Sequence, residues 1–448
     1  MDGETTVRIL SGVTARSERL PAIDRLRGLA ILLMVLDHVR WFFTAARFDP
    51  SDLTQTTPGL FFTRWLTHLC APSFVFLAGM SARLHARELS RPQLQRFLFT
   101  RGLWLIALEF SVIELVGAFN LEYRTGLTLQ VIWVLGASMC LLAALVALPV
   151  WAVGAFGLVM IVVHDAFDGI APARFGAWAP LWNVLHVKGP VPFGFVLYPI
   201  IPWLGVMAVG YAYAELYRRE QARSPHNVGF GSVCGFAGPS WGSPLLPFTP
   251  WIGLEAANHA FAQPYRAQAT AQTMPPLHAR RGVTAEIGLL LCGAFLVLRL
   301  LNGYGDPHPW TEQGSELFTL LSFLDTTKYP PSLIYLTMTL GPCLLLLAAL
   351  QRRAGRLSDI LETFGRVPLF AYVLHIALAH ALAGLVGLAQ GYGTRVLLQF
   401  FVFYPRDWGF SLGGVYVAYF AVLALLYPLC RWFAGVKRRR RDPWLAYL

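Results

Sequence analysis

Apolar runs of membrane-spanning length recur along the whole chain, separated by short polar stretches. They fall near residues 24–44, 59–82, 98–119, 127–147, 149–164, 193–216, 284–302, 332–350, 366–390 and 412–434. A helix crossing a bilayer needs about 20 mostly apolar residues. The pattern therefore predicts an all-α fold, a polytopic transmembrane bundle of about ten helices. The fourth and fifth runs meet tightly at Pro149, and the fifth is short. One stretch breaks the pattern. Near 224–280, Gly, Pro, Ser and Ala dominate without a sustained apolar period. It reads as a disordered cytoplasmic insertion. The expected organisation is helices one to six over 1–216, an insertion over 217–283, helices seven to ten over 284–436 and a basic tail over 437–448.

Composition sharpens the membrane reading. The chain is 56% hydrophobic and 14% charged, where soluble proteins carry about 25% charged residues. The N-terminal "MDGETTVRILSGVTARSERL" has no apolar segment ahead of a small-residue cleavage site, unlike a signal peptide. The six cysteines form no CxxC pair, so neither a disulfide framework nor a zinc site is expected.

The net charge of +11 changes the picture through its placement. It is not gathered into a basic domain, so nucleic acid is not an expected partner. Of the 36 Lys and Arg residues, 26 lie in 1–27, 83–101, 217–285, 351–366 and the tail from 431. The positive-inside rule then sets both termini in the cytoplasm, N-in and C-in. The preference for arginine over lysine suggests a bacterial source, hence a bacterial inner membrane.

Four stretches carry candidate chemistry. In "DRLRGLAILLMVLDHVRWFF", Arg27 and His38 are eleven residues apart, about three turns plus 20°, so they share one helix face roughly 16 Å apart along the axis. Asp37 points about 80° away from that face, and Asp24 about 60° to its other side. Ionisable groups at mid-membrane are costly and usually mark function. In "RWLTHLCAPSFVFLAGMSARL", His68 stands near the outer start of the second helix. In "FGRVPLFAYVLHIALAH", Arg366 opens the ninth helix, with Tyr372 and His375 on one side. His375 and His380, five apart, do not share a face, which argues against a two-histidine metal clamp. In the outward loop "LDTTKYPPSLIYL", Asp325, Lys328 and Tyr329 precede the eighth helix. No phosphate-binding loop, serine-hydrolase or zinc-protease motif is present, and no metal is expected.

"RLPAIDRLRGLAILLMVLDHVRWFF", followed by "HLCAPSFVFLAGMSA" and supported by "GRVPLFAYVLH", resembles the heparan-α-glucosaminide N-acetyltransferase catalytic-domain family. The spacing from Arg27 to His38 is also similar to the signature of the membrane acyltransferase-3 families. The resemblance implies a transmembrane acyltransferase. Acetyl-CoA would bind from the cytoplasm, and its acetyl group would pass to a sugar or glycan beyond the lipid bilayer. The loop histidine used by the lysosomal family member has no counterpart in Thr44–Phe61. That leaves His38 and His68, with His38 favoured. On this reading His38 is the general base or transient acyl acceptor, with His68 and Asp37 beside it. Arg27, Asp24, Arg366 and His375 serve the donor. Lys328, Tyr329 and Asp325 serve the acceptor. A homodimer is left open, and a proton-coupled transporter or a non-catalytic membrane subunit is the alternative.

Overall fold

The structure is a computed structural model that describes residues 20–86, 89–119, 127–223, 282–351, 355–394, 404–440 and 442. Of the insertion expected over 217–283, residues 224–281 lie outside them, as does the end of the basic tail; residues 217–223 instead continue the helix that begins at Ile200, and Val283 begins the next. The described residues up to Glu220 and from Gly282 onward form one compact unit.

Each apolar run contains a helix. α1 spans Pro21–Phe43; α2, Pro58–Thr67; α3, Cys70–His85; α4, Arg91–Leu108. A π-turn, Glu109–Ile113, leads into α5, Glu114–Ala118. Then come α6, Val131–Leu145; α7, Val150–Val163; α8, Ala179–Leu185; α9, Ile200–Arg223; and α10, Val283–Leu301. α11 spans Glu316–Leu324; α12, Leu333–Leu350; α13, Arg356–Arg366; α14, Pro368–Ala389; α15, Leu412–Arg439. Among the described residues, seven stretches are long and apolar enough to cross a membrane: Pro58–His85, Val150–Phe167, Ile200–Ala222, Val283–Leu301, Leu333–Leu350, Pro368–Ala389 and Leu412–Arg439. α1, α4 and α6 fall outside that set. α1 carries Asp24, Arg25, Arg27, Asp37 and Arg40, α4 carries three arginines, and α6 is short.

Burial sorts these helices into centre and rim. The most apolar windows of Pro58–His85, α9 and α12 are 67% buried in the protein, against 22% for those of α10 and α15. The poorly buried helices expose large apolar side chains such as Leu290, Val417 and Phe420. Such surface suits lipid, where a helix satisfies its own backbone polar groups.

α1 is the central helix. It packs against α13, α14, α15, α3 and α12. Pro21 stands in its first turn, where a missing N–H costs nothing. Its contact with α13 is backbone to backbone: a Cβ on Gly28 would lie 1.9 Å from the Leu361 carbonyl oxygen. Its C-terminal end is plugged by the segment before α15. The Trp408 indole N–H donates to the Phe42 carbonyl at 2.9 Å, and Phe410 N–H to the Phe43 carbonyl at 2.7 Å. Gly409, at φ +126°, lets this segment touch Thr44.

The segments before α6 and α9 hold a small sheet in the order β1-β3-β2. β1, Leu127–Leu129, pairs parallel with β3, Gly194–Val196, which pairs antiparallel with β2, Gly189–Val191.

Candidate functional site

The eleven-residue spacing on α1 brings His38 to a partner on α14. His38 Nδ1 lies 2.7 Å from His375 Nε2, and His375 Nδ1 lies 2.9 Å from the Ala371 carbonyl oxygen. A carbonyl only accepts, so His375 Nδ1 carries a proton. In neutral His375 the Nε2 is then a lone pair, and His38 Nδ1 must donate to it. His38 Nε2 is left as an unprotonated lone pair. His375 is fully enclosed, whereas His38 is only half-buried. Trp41 and Tyr372 flank the His38 ring at 5.3 and 6.1 Å. The arrangement presents one basic nitrogen whose tautomer is fixed from behind. His375, expected at the donor, is placed against His38 instead.

Asp37 points away from His38, as helical geometry requires, into a buried ion cluster. Arg40, one turn on, donates to its Oδ1 at 3.0 Å. Arg64 of α2 donates to Oδ1 at 3.0 Å and Oδ2 at 2.8 Å. All three side chains are at most 9% exposed. His68 falls in the break between α2 and α3. Its backbone carbonyl accepts from Tyr335 Oη at 2.9 Å, and its ring lies edge-on to that of Tyr335 at 5.4 Å.

Lys328 and Tyr329 reach the same cluster from the loop between α11 and α12. The Lys328 ammonium lies 5.2 Å from the Tyr329 ring centre, and Tyr329 Oη lies 3.4 Å from Tyr198 Oη. Burial alone would raise the pKa of the Tyr329 phenol. The Lys328 ammonium and Arg64 guanidinium outweigh burial and hold it below its ordinary value.

Asp306 sets the shape of this loop. Its carboxylate accepts from Thr327 N–H at 2.8 Å, Thr327 Oγ1 at 2.9 Å and Ser332 Oγ at 2.7 Å. Asp165 adds a bond from Leu333 N–H at 2.9 Å, and His164 Nε2 one to the Pro331 carbonyl at 3.0 Å. Asp306→Ala strands three donors at once. It should cost about 2–4 kcal/mol, read as a lowered unfolding midpoint in detergent. An unchanged midpoint would show that the loop keeps its shape without Asp306.

Asp325, at the end of α11, stands apart from Lys328 and Tyr329 in environment. Burial, then Asp306 and Asp49, push its carboxyl from 3.8 up to about 7. The folded chain therefore holds this proton more tightly than the unfolded one. The stability it contributes is complete below 3.8 and is lost as pH rises through about 7. Unfolding midpoints should fall between about pH 4 and 7, and Asp325→Asn should flatten that fall; an identical slope in the variant contradicts the assignment.

The residues expected at the donor's charged end gather at the other end of α1. Arg27 donates to Asp24 at 2.9 Å, to the Gly365 carbonyl at 3.1 Å and to Ser81 Oγ at 2.9 Å. It thus ties α1 to α3 and α13. Arg366 donates to Glu362 at 2.6 Å, and Glu362 also pairs with Arg25 at 2.9 Å.

So the fold collects His38, His375, Asp37, His68, Lys328 and Tyr329 at one end and Asp24, Arg27 and Arg366 at the other. Residues that sequence reasoning did not single out complete the first group. Arg40 is three after Asp37, an ion-pair spacing. Arg64 is the sole charge between Leu53 and Ala82. Glu109 had no signal beyond its position in an apolar run. It is buried on the π-turn, where its Oε2 accepts Trp133 N–H at 2.9 Å. It caps the start of α6 from a neighbouring helix.

Residues 19–238 match the family model described as heparan-alpha-glucosaminide N-acetyltransferase, catalytic. The match bears out the resemblance read from the first helix and spans α1 to α9. No curated protein matches the chain.

Proposed function

We propose that this integral membrane protein, whose residues 19–238 carry an acetyltransferase catalytic domain, moves an acetyl group from acetyl-CoA to a sugar or glycan hydroxyl or amine. The observation that carries this reading is the chain from the Ala371 carbonyl through His375 to His38, which leaves His38 Nε2 as a base. His38 Nε2 takes the acceptor's proton as its oxygen or nitrogen bonds to the thioester carbon. The carbonyl electrons move to oxygen and return as the carbon–sulfur bond breaks. The departing CoA thiolate collects the proton from His38. His375 supports the protonated state by accepting from Nδ1 throughout.

The rest of the reading follows the placement of charge. The chain crosses the bilayer ten times, N-in and C-in, in a bacterial inner membrane. α1, α4 and α6 cross despite their charge or length, because the charges of α1 are paired within the bundle. Arg27, Asp24 and Arg366 stand at the cytoplasmic mouth, where guanidinium groups suit the phosphates of CoA. The roughly 16 Å of helix between Arg27 and His38 accommodates the pantetheine arm. Lys328 and Tyr329, with Asp325 behind them, face the acceptor, and His68 and Asp37 shape the floor.

The test is transfer across a membrane. Purified protein in liposomes, given acetyl-labelled CoA on one side and glucosamine trapped on the other, should acetylate the trapped sugar. Uptake of sugar without CoA, and no label transfer, would overturn the reading in favour of transport.

A further inference from the structure

The outer cluster holds more positive charge than its own carboxylate balances. Arg40, Arg64 and Lys328 are each more than nine-tenths buried, and Asp37 is the carboxylate bonded to the two guanidinium groups. Two donors there are idle: Arg40 Nε and His68 Nδ1 are buried without a hydrogen-bond partner among the described residues. The Lys328 ammonium lies 5.2 Å from the Tyr329 ring centre. Asp49 acts on Arg40 and Arg64 through its charge, but its hydrogen bonds are to Ser51 N–H and Oγ at 3.0 and 2.8 Å, and Asp325 sits beside Asp306; Asp37 and Asp49 together still leave the three cations one negative charge short.

A buried cation without a counter-ion is costly, and apolar residues of similar size would hold the helices at less expense. Excess charge of this kind calls for an anionic ligand. An oxyanion formed on the acetyl carbon develops at His38, about 100° around α1 from the Asp37 cluster. The phosphates of CoA do not answer it either. On the reading above they stay at the Arg27 end of α1, and the acetyl end of the donor is uncharged. What remains is the acceptor, which must reach His38, the residue next to Asp37.

We propose that Arg40, Arg64 and Lys328, held in place by Asp37, form a subsite for a carboxylate or phosphoryl group carried by the acyl acceptor. Planar guanidinium forks and an ammonium are the donors that match such oxygens. The acceptor is then an acidic sugar, not a neutral one. This rests on the acyl-transfer reading for the identity of the ligand, but not for the existence of the subsite.

The experiment measures binding in the absence of acetyl-CoA. Wild type in phosphatidylcholine nanodiscs is titrated with glucuronate, glucose 6-phosphate and glucose, followed by thermal shift and tryptophan fluorescence. At least one acidic sugar should bind tenfold or more tightly than glucose, weaken with added salt, and lose that advantage in Lys328→Met while Lys328→Arg retains it. Equal binding of acidic and neutral sugars by the wild type overturns the proposal, whatever the variants do. So does stabilisation by phosphatidylglycerol in the nanodisc with no response to either acidic sugar, since the anion is then a lipid headgroup. A protein that binds the acidic sugar in this way but transfers no acetyl group leaves the subsite standing and removes the transfer reading.

Discussion

His38→Ala should lower acetyl transfer by about 10²–10⁴-fold, the usual contribution of a positioned general base. Folding should survive, because His38 is half-buried and its one hydrogen bond goes to another side chain. The readout is label transfer from acetyl-CoA by purified protein, with circular dichroism and gel filtration confirming the fold. A variant that transfers at the wild-type rate sinks the assignment. His375→Phe separates positioning from chemistry. It keeps the ring and removes the acceptor that holds the proton on His38 Nδ1. The rate at saturating donor should fall, with the KM for acetyl-CoA little changed. Equal loss in kcat/KM through KM alone would mean that His375 binds donor, as its sequence position first suggested.

Asp37→Ala should be the most destabilising single change in the cluster. It leaves Arg40 and Arg64 buried with no carboxylate, which typically costs about 3–5 kcal/mol. It also cuts the link between α1 and α2, since Arg64 bonds both oxygens of Asp37. Denaturant unfolding in mixed micelles should show the loss directly. Adding Arg64→Met to Asp37→Ala should restore part of the stability, because one stranded charge is removed; residues in one ion network are not additive. If Asp37→Ala unfolds at the wild-type midpoint, the cluster does not hold the fold.

The two predictions rest on neighbours that differ in how well the sequence announces them. The shared face of Arg27 and His38 follows from spacing alone, because an α-helix turns by a fixed angle per residue. The divergence of Asp37 from His38 follows the same way, and the structure sends them to different partners. Spacing says nothing about what stands opposite. His38 meets His375 at a separation of 337 residues, and Asp37 meets Arg64 at 27. Nothing in the local sequence says whether Lys328, just before α12, faces solvent or the bundle; the helix is capped by Ser332, whose hydroxyl accepts from Tyr335 N–H at 3.0 Å, and Lys328 is buried.

By itself the sequence determined the helices, their approximate ends and the membrane as solvent. Hydropathy over about 20 residues and the backbone's need for internal hydrogen bonds in lipid are local constraints. It also determined which polar side chains share a helix face. The tertiary structure alone decided which helix became central, and with it the chemistry. α1 carries five charges, with Asp37 and Arg40 deep in its apolar run, and it is enclosed because its neighbours supply the partners. Arg64, Gly365, Ser81 and Glu362 lie on other helices, and pairing across helices depends on packing that no single stretch encodes. The lone pair on His38 and the surplus charge beside it exist only once those helices have met.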